Sequence, residues 1–323
     1  MKKAAERVFL IGAGFTKAAF PHAPLNKDVL KSLSDPEYAT VAKYRELYKE
    51  DDIEKLLTRL DLDAMASCEL KAERARIDSE LSAYFSRFRF TDLTSSPHWL
   101  GQFCMRLLQK NDCIINLNYD CLLDGALDSF GVWSPNGGYA GIGNQLADSL
   151  PANSLNIKIY KIHGSENFYQ SSVLGRNPRQ TGIGLDINPF IYPKSGAHSY
   201  LRFGMSNSKP YIIAPSFVKI PHVDIAAMML DLLEEVGASR DFVIIGCGLR
   251  PEDSFLWLVL TRFLNSCTLP KRRLLILDPD AEALWRRISD YWVDDINEFA
   301  DVSVLPYGIE QGIQQLRKAL NIT

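Results

Sequence analysis

Four short segments close apolar runs with glycine or polar residues: FLIGAGFT at Phe9–Thr16, NLNYD at Asn116–Asp120, KIHGS at Lys161–Ser165 and IIGCGL at Ile244–Leu249. A short apolar run that stops at such residues reads as a buried strand and its tip. In an open α/β sheet the carboxyl ends of the strands open onto one crevice, so tips far apart in sequence are expected to meet there.

The rest of the chain fits that frame. Strands are expected at Arg7–Gly12, Asp112–Leu117, Ile157–Ile162, Tyr211–Ala214, Phe242–Ile245, Leu274–Leu277 and Val302–Leu305, with helical patterns between most of them. This alternation predicts an α/β, Rossmann-like fold: a largely parallel sheet with helices on both faces and right-handed connections. Two stretches depart from it. From about 36 to 110 the pattern is a helical insertion, with apolar residues at three- and four-residue steps in DDIEKLLTRLDL and LKAERARIDSELSAYFSRF. Asp51 or Asp52 can cap one of its helices, and Ser95–Ser96–Pro97 starts another that runs through Trp99, Phe103 and Leu107. From about 165 to 210 the chain is rich in Gly, Ser, Asn and Pro, which predicts a long loop or small flap.

Composition excludes several classes of function. With 323 residues, 46% of them hydrophobic, the chain can bury a large core. Its formal net charge of −3 and lack of a long basic run leave no electrostatic footprint for direct nucleic-acid binding. No window is long and apolar enough to cross a bilayer, and the first apolar stretch leads into glycines instead of a cleavage site, so a cytoplasmic protein is expected. The six cysteines never fall as C-x-x-C and no histidine completes a zinc pattern, so no metal is expected.

Each strand tip carries chemistry. Gly12–Ala13–Gly14–Phe15–Thr16 can admit a pyrophosphate close to the backbone at a helix start. Lys17 stands where a third glycine of the dehydrogenase fingerprint belongs, which disfavours an ordinary dehydrogenase. Asn118 offers a donor and an acceptor; Asp120 can accept from a ligand or cap the following helix. His163, one of five histidines, can serve as a general base or as a hydrogen-bonded structural residue. Gly246, Cys247 and Gly248 make room for a nucleotide, with Asp253 beyond them, while Asp278 can bind ribose hydroxyls or open a turn.

In this order, GAGFT, NYD, IHGS, IIGCG and LDPD resemble the sirtuin superfamily, in particular the sirtuin-like domains of prokaryotic anti-phage defence effectors. The resemblance covers most of the chain and implies a single catalytic domain over 1–323. It implies NAD as the ligand, with Gly12, Ala13, Gly14, Phe15 and Thr16 at its phosphates and Gly246 and Cys247 beside the adenosine half. Asp278 would hold the adenosine ribose, Asn118 the nicotinamide-side ribose or an attacking water, Asp120 the nicotinamide end, and His163 would be the catalytic base. Sirtuin deacylases carry a zinc module with two cysteine pairs, which this chain lacks, so the resemblance points away from lysine deacylation. It points toward an NAD glycohydrolase releasing nicotinamide and ADP-ribose.

Such an enzyme would harm its own cell if it ran continuously. Gating is therefore expected, by homo-oligomer formation or by a separate sensor such as a HerA-like ATPase, with surfaces in Pro36–Phe90 as candidate contacts. The alternatives are a protein deacylase or ADP-ribosyltransferase, and a non-catalytic module that senses NAD or ADP-ribose.

Overall fold

A computed structural model describes residues 5–33, 35–142, 154–171, 182–185, 209–213, 221–265, 272–291 and 296–322. Among these, nine strands form: β1 Arg7–Ile11, β2 Cys113–Asn116, β3 Lys158–Tyr160, β4 Gly164–Ser171, β5 Gly182–Leu185, β6 Lys209–Ile212, β7 Asp241–Ile245, β8 Arg272–Leu277 and β9 Ala300–Leu305. Six of them make a parallel sheet in the order β3-β2-β1-β7-β8-β9. The order runs outward in one direction from β1 and then reverses at β7, which makes the β1–β7 seam the topological switch point.

Register explains why the tips meet. Ile11 lies opposite both Asn116 and Ile245, Ile245 opposite Leu277, and Ile115 opposite Tyr160. The next residues, Gly12, Leu117, Gly246, Asp278 and, one strand further out, Lys161, therefore leave the sheet at one edge. β1 and β7 are buried along their whole length, as a sheet covered on both faces requires. Helices flank both faces; in Ile309–Ala319 the residues Ile309, Gly312, Ile313 and Leu316 form the inward stripe at three- and four-residue spacing.

Between β1 and β2 lies a helical unit with its own apolar core. Its helices Ala39–Tyr48, Ile53–Ala64 and Cys68–Phe85 bury Val41, Leu56, Leu57, Leu60, Ile77 and Leu81. Asp52 caps the second of these helices, accepting from the amides of Glu54 and Lys55 at 2.8 and 3.2 Å. The later part of the predicted insertion belongs elsewhere: Trp99, Leu100, Phe103 and Leu107 pack into the core of the main sheet. Helix His98–Gln102 begins with Pro97 at its cap position and has no side-chain cap bond.

The stretch expected to be a long loop or small flap contains β4 and β5, and with β6 they form a second, antiparallel sheet in the order β5-β4-β6. The expected strand at Tyr211–Ala214 corresponds to β6 and joins this small sheet; Ala214 and much of 172–208 lie outside the described residues. At the start of β4, Gly164 has φ +76°, and the backbone of β6 approaches so closely that a Cβ there would lie 2.4 Å from the Tyr211 carbonyl oxygen.

Candidate active site

The floor of the site is backbone packed on backbone. Gly12 donates its N–H to the Ile245 carbonyl at 3.0 Å, and Gly14 donates to the Gly246 carbonyl at 2.9 Å. Gly246 itself sits at φ +58°, and a Cβ on it would fall 2.6 Å from the Phe15 nitrogen. These glycines are thus required first by the contact between the β1 and β7 tips. Gly248 differs: a Cβ there meets nothing within 4 Å, so the chain is open at this point.

Two cavities open above this edge. The first, of about 700 Å³, is lined by Gly12, Ala13, Thr16, Asn118, Asp120, His163, Gly246 and Cys247 among the expected site residues. The second, of about 780 Å³, is lined by Gly14, Phe15, Gly246 and Asp278. Gly248 and Arg287 line both. Each volume is in the range of a small-molecule site.

Several expected site residues turn their side chains to other work. Phe15 is buried in the core, edge-on to Trp99 and Phe103. The Thr16 hydroxyl donates to Asp120 Oδ2 at 2.9 Å and accepts from Asn118 Nδ2 at 3.0 Å; the same amide nitrogen lies 3.0 Å from the Gly12 carbonyl. Asp120 Oδ1 accepts from the Leu122 amide at 3.1 Å, so both its oxygens serve the tie between the β1 and β2 tips. Burial pushes the Asp120 carboxyl up to about 7, against the pull of the Lys161 ammonium. Burial likewise pushes the Cys247 thiol up to about 12, where it is an inert apolar group near neutral pH. Asp278 accepts from the Asp280 amide at 2.8 Å as its helix begins, and burial raises its carboxyl above the ordinary value.

Beneath the Asn118–Asp120 loop lies Lys161, a fully buried ammonium. It donates to the Asn118 and Asp120 carbonyls at 3.0 and 2.6 Å and to Ser165 Oγ at 2.9 Å, and pairs with Asp124 at 3.0 Å. Asp124 also accepts from Asn116 and Tyr139. Burial lowers the pKa of Lys161, but Asp124 and its other neighbours outweigh this, and the net shift is upward. A charge this deep persists only when its donors are matched by acceptors, and here the match fixes the loop that presents Asn118.

His163 faces the first cavity, and its Nε2 lies 3.0 Å from Asp253 Oδ2. The carboxylate is contributed from beyond the β7 tip. The roof comes from the helical unit: Glu54 forms an ion pair with Arg250 at 2.7 Å, and Phe85 and Phe88 line the same space.

Lys161, Arg250 and the pairing of Asp253 were not identified from sequence. Lysine beside a strand ordinarily snorkels to water, and an aspartate before a helix ordinarily caps it. Among the described residues no group of His, Cys, Asp and Glu is placed to hold a metal ion, and no helix is long and apolar enough to cross a membrane.

No protein-family model matches the chain, and no curated protein sequence matches it. Similar solved structures include a Sir2 homologue in complex with NAD, 13% identical, with 98% of this chain and 91% of that chain covered and a TM-score of 0.47. A mutant Sir2 homologue in complex with ADP-ribose is 15% identical over 99% of this chain and 95% of that chain, with a TM-score of 0.43. All these scores lie below 0.5, so the chemistry assigned to this chain has to come from its own residues.

Proposed function

We propose that the two cavities together bind NAD and that the protein cleaves its nicotinamide–ribose bond, passing the ribosyl carbon to water. The observation that carries this reading is the convergence of Asn118 and His163, from two different strand tips, on one cavity floored by the glycine contact at the β1–β7 switch point. The pyrophosphate would lie over the open backbone at Gly248, which borders both cavities. The adenosine half would extend toward Asp278, whose carboxylate suits ribose hydroxyls and disfavours a 2′-phosphate.

The chemistry asks little of an acid. The C1′–N bond breaks with its electron pair going to the positively charged pyridinium, which leaves as neutral nicotinamide. The resulting oxocarbenium-like carbon takes an oxygen from water, and His163 accepts the water proton or first deprotonates a ribose hydroxyl. Asn118 holds the ribose or the water in line. Asp120 acts by keeping the Asn118 loop in place through Thr16 and Leu122.

In this reading the protein depletes NAD as an anti-phage defence effector. It is gated by self-assembly or by a partner such as a HerA-like ATPase. The helical unit, with Leu47, Leu62 and Met65 exposed, offers the contact surface.

Nicotinamide release from NAD, measured at several protein concentrations, tests the proposal. His163→Ala is expected to lower release by about 10² to 10⁴-fold while leaving the thermal melt unchanged. Equal turnover by a folded variant would remove His163 from the mechanism, transfer of label from NAD to a protein would replace water as acceptor, and tight NAD binding without turnover at every concentration would favour a sensing module.

A further inference from the structure

We infer that Arg287 binds the pyrophosphate of the dinucleotide, in place of the glycine-loop amides at which the sequence leads one to expect it. The amides at the β1 tip are already spent. Gly12 donates to the Ile245 carbonyl at 3.0 Å, Gly14 to the Gly246 carbonyl at 2.9 Å and Phe15 to the Gly12 carbonyl at 3.0 Å. Each amide carries one hydrogen, so a phosphate at these three would compete with the bonds that shape the tip.

A dinucleotide that reaches both cavities passes its negatively charged pyrophosphate between them. Among the described residues Leu25, Gly246, Gly248 and Arg287 line both spaces, and of these only Arg287 is charged. The other cations nearby are occupied or placed elsewhere: Arg250 pairs with Glu54, Lys17 donates to the Pro21 and Ala23 carbonyls, and Lys27 lines the first cavity alone. Arg287 is exposed on helix Ala281–Tyr291, and its Nη1 donates to the Gly248 and Leu249 carbonyls. This holds the guanidinium beside Gly248, where the chain is open.

The donors left over suit an anion. The two hydrogens on Nη1 account for both carbonyls, which leaves the Nε–H and the two on Nη2. Nε and Nη2 share one edge of the planar group, the fork that grips two oxygens of a phosphate side by side. Among the described residues neither nitrogen has an acceptor, and no carboxylate stands within ion-pair distance of the guanidinium. Arg287 also fastens a turn: Leu249, fully buried, has φ +41°, a left-handed conformation that L side chains rarely adopt. Binding and fastening have to be separated by experiment.

The test uses the full chain and measures binding before turnover. By calorimetry Arg287→Met is expected to weaken ADP-ribose by about 10- to 100-fold and to leave adenosine, which has no phosphate, within about twofold. Added salt should weaken ADP-ribose binding more steeply in wild type than in the variant. Equal losses for the two ligands would make Arg287 a fastening of the 246–249 turn alone and overturn the inference. Arg287→Lys keeps the charge but not the fork, and decides the matter if Arg287→Met fails to fold: ADP-ribose should bind about fivefold more weakly with adenosine unchanged, and wild-type affinity for ADP-ribose overturns the inference. With NAD, Arg287→Met should raise KM by about 10- to 100-fold with kcat within about twofold, because the pyrophosphate is held alike before and during bond cleavage. The inference rests on the reading that NAD spans the two cavities, and does not require that NAD be cleaved. Selective loss of ADP-ribose without nicotinamide release from wild type would fail the cleavage and keep Arg287; nicotinamide release with an unchanged KM in the variant would fail Arg287 and keep the cleavage. Wild type that binds neither NAD nor ADP-ribose would overturn both.

Discussion

The two edges of the parallel sheet are built on opposite principles. At the amino edge, Arg7 grips Asp112 through two hydrogen bonds of 3.0 and 2.7 Å, and Arg273 closes on Asp241 at 2.7 Å, tying β1 to β2 and β7 to β8 with buried or nearly buried charge. At the carboxyl edge β1 and β7 end in glycines that touch through their backbones, and the charged groups stand around open cavities. One edge uses side chains to hold strands together; the other removes side chains so that strand tips can meet and still leave room for a ligand. Stability and site are thus separable along a strand of five residues, β1.

That separation can be broken deliberately. The largest effect is expected at the amino edge. Arg7→Met leaves the Asp112 carboxylate buried without its guanidinium and should lower unfolding free energy in urea by about 3–5 kcal/mol. NAD affinity of the folded fraction should stay within about twofold; a matching loss of affinity would show that the two edges are coupled. Gly246→Ala comes next. It forces an L-residue to φ +58° against the Phe15 nitrogen, and an expected loss of about 2–5 kcal/mol should come with a clear fall in NAD affinity by calorimetry. Unchanged affinity would mean that the glycine contact serves packing alone.

The smallest effect sharpens the comparison through pH. Burial holds the Asp120 carboxyl up to about 7, far above the value of about 4 in an unfolded chain. Between those values the folded state keeps a proton that the unfolded state releases, so this group's contribution is full below about pH 4 and is lost as pH rises through 7. Asp120→Asn removes the titration, and wild type should lose stability relative to the variant between pH 5 and pH 8. A flat or reversed difference in paired urea melts would mean that the carboxyl is ionised throughout.

The parts of the molecule that sequence revealed are those where local pattern and tertiary environment agree. Val8–Ile11, Ile114–Ile115 and Val243–Ile245 are apolar because both faces of their sheet are covered, and the glycines that follow mark a change that no side chain could make. Asn118 and His163, singled out as polar groups at strand tips, both line the first cavity. Asp120 also lines that cavity, but nothing local in the sequence shows that Thr16 and the Leu122 amide occupy its oxygens. Lys161 and Asp253 were less legible still. Lys161 is matched by acceptors from 118, 120, 124 and 165, and Asp253 breaks a capping habit for a partner ninety positions earlier. Of the small sheet only β6 was legible, since β4, GSENFYQS, is mostly polar and β5, GIGL, is four residues with two glycines.

The place of β1 bears on the order in which the molecule comes together. Its residues pair with β2 about a hundred positions later and with β7 more than two hundred positions later, whereas the apolar core of the helical unit between β1 and β2 is built from neighbours in the chain apart from Tyr119 and Ile212. Contacts between distant positions form late because loop closure must come first. During synthesis the helical unit can fold while β7 is still unmade, and the floor of the cavity waits until Gly246 and Asp253 have left the ribosome. The nascent chain therefore carries its roof well before it has a site to cover.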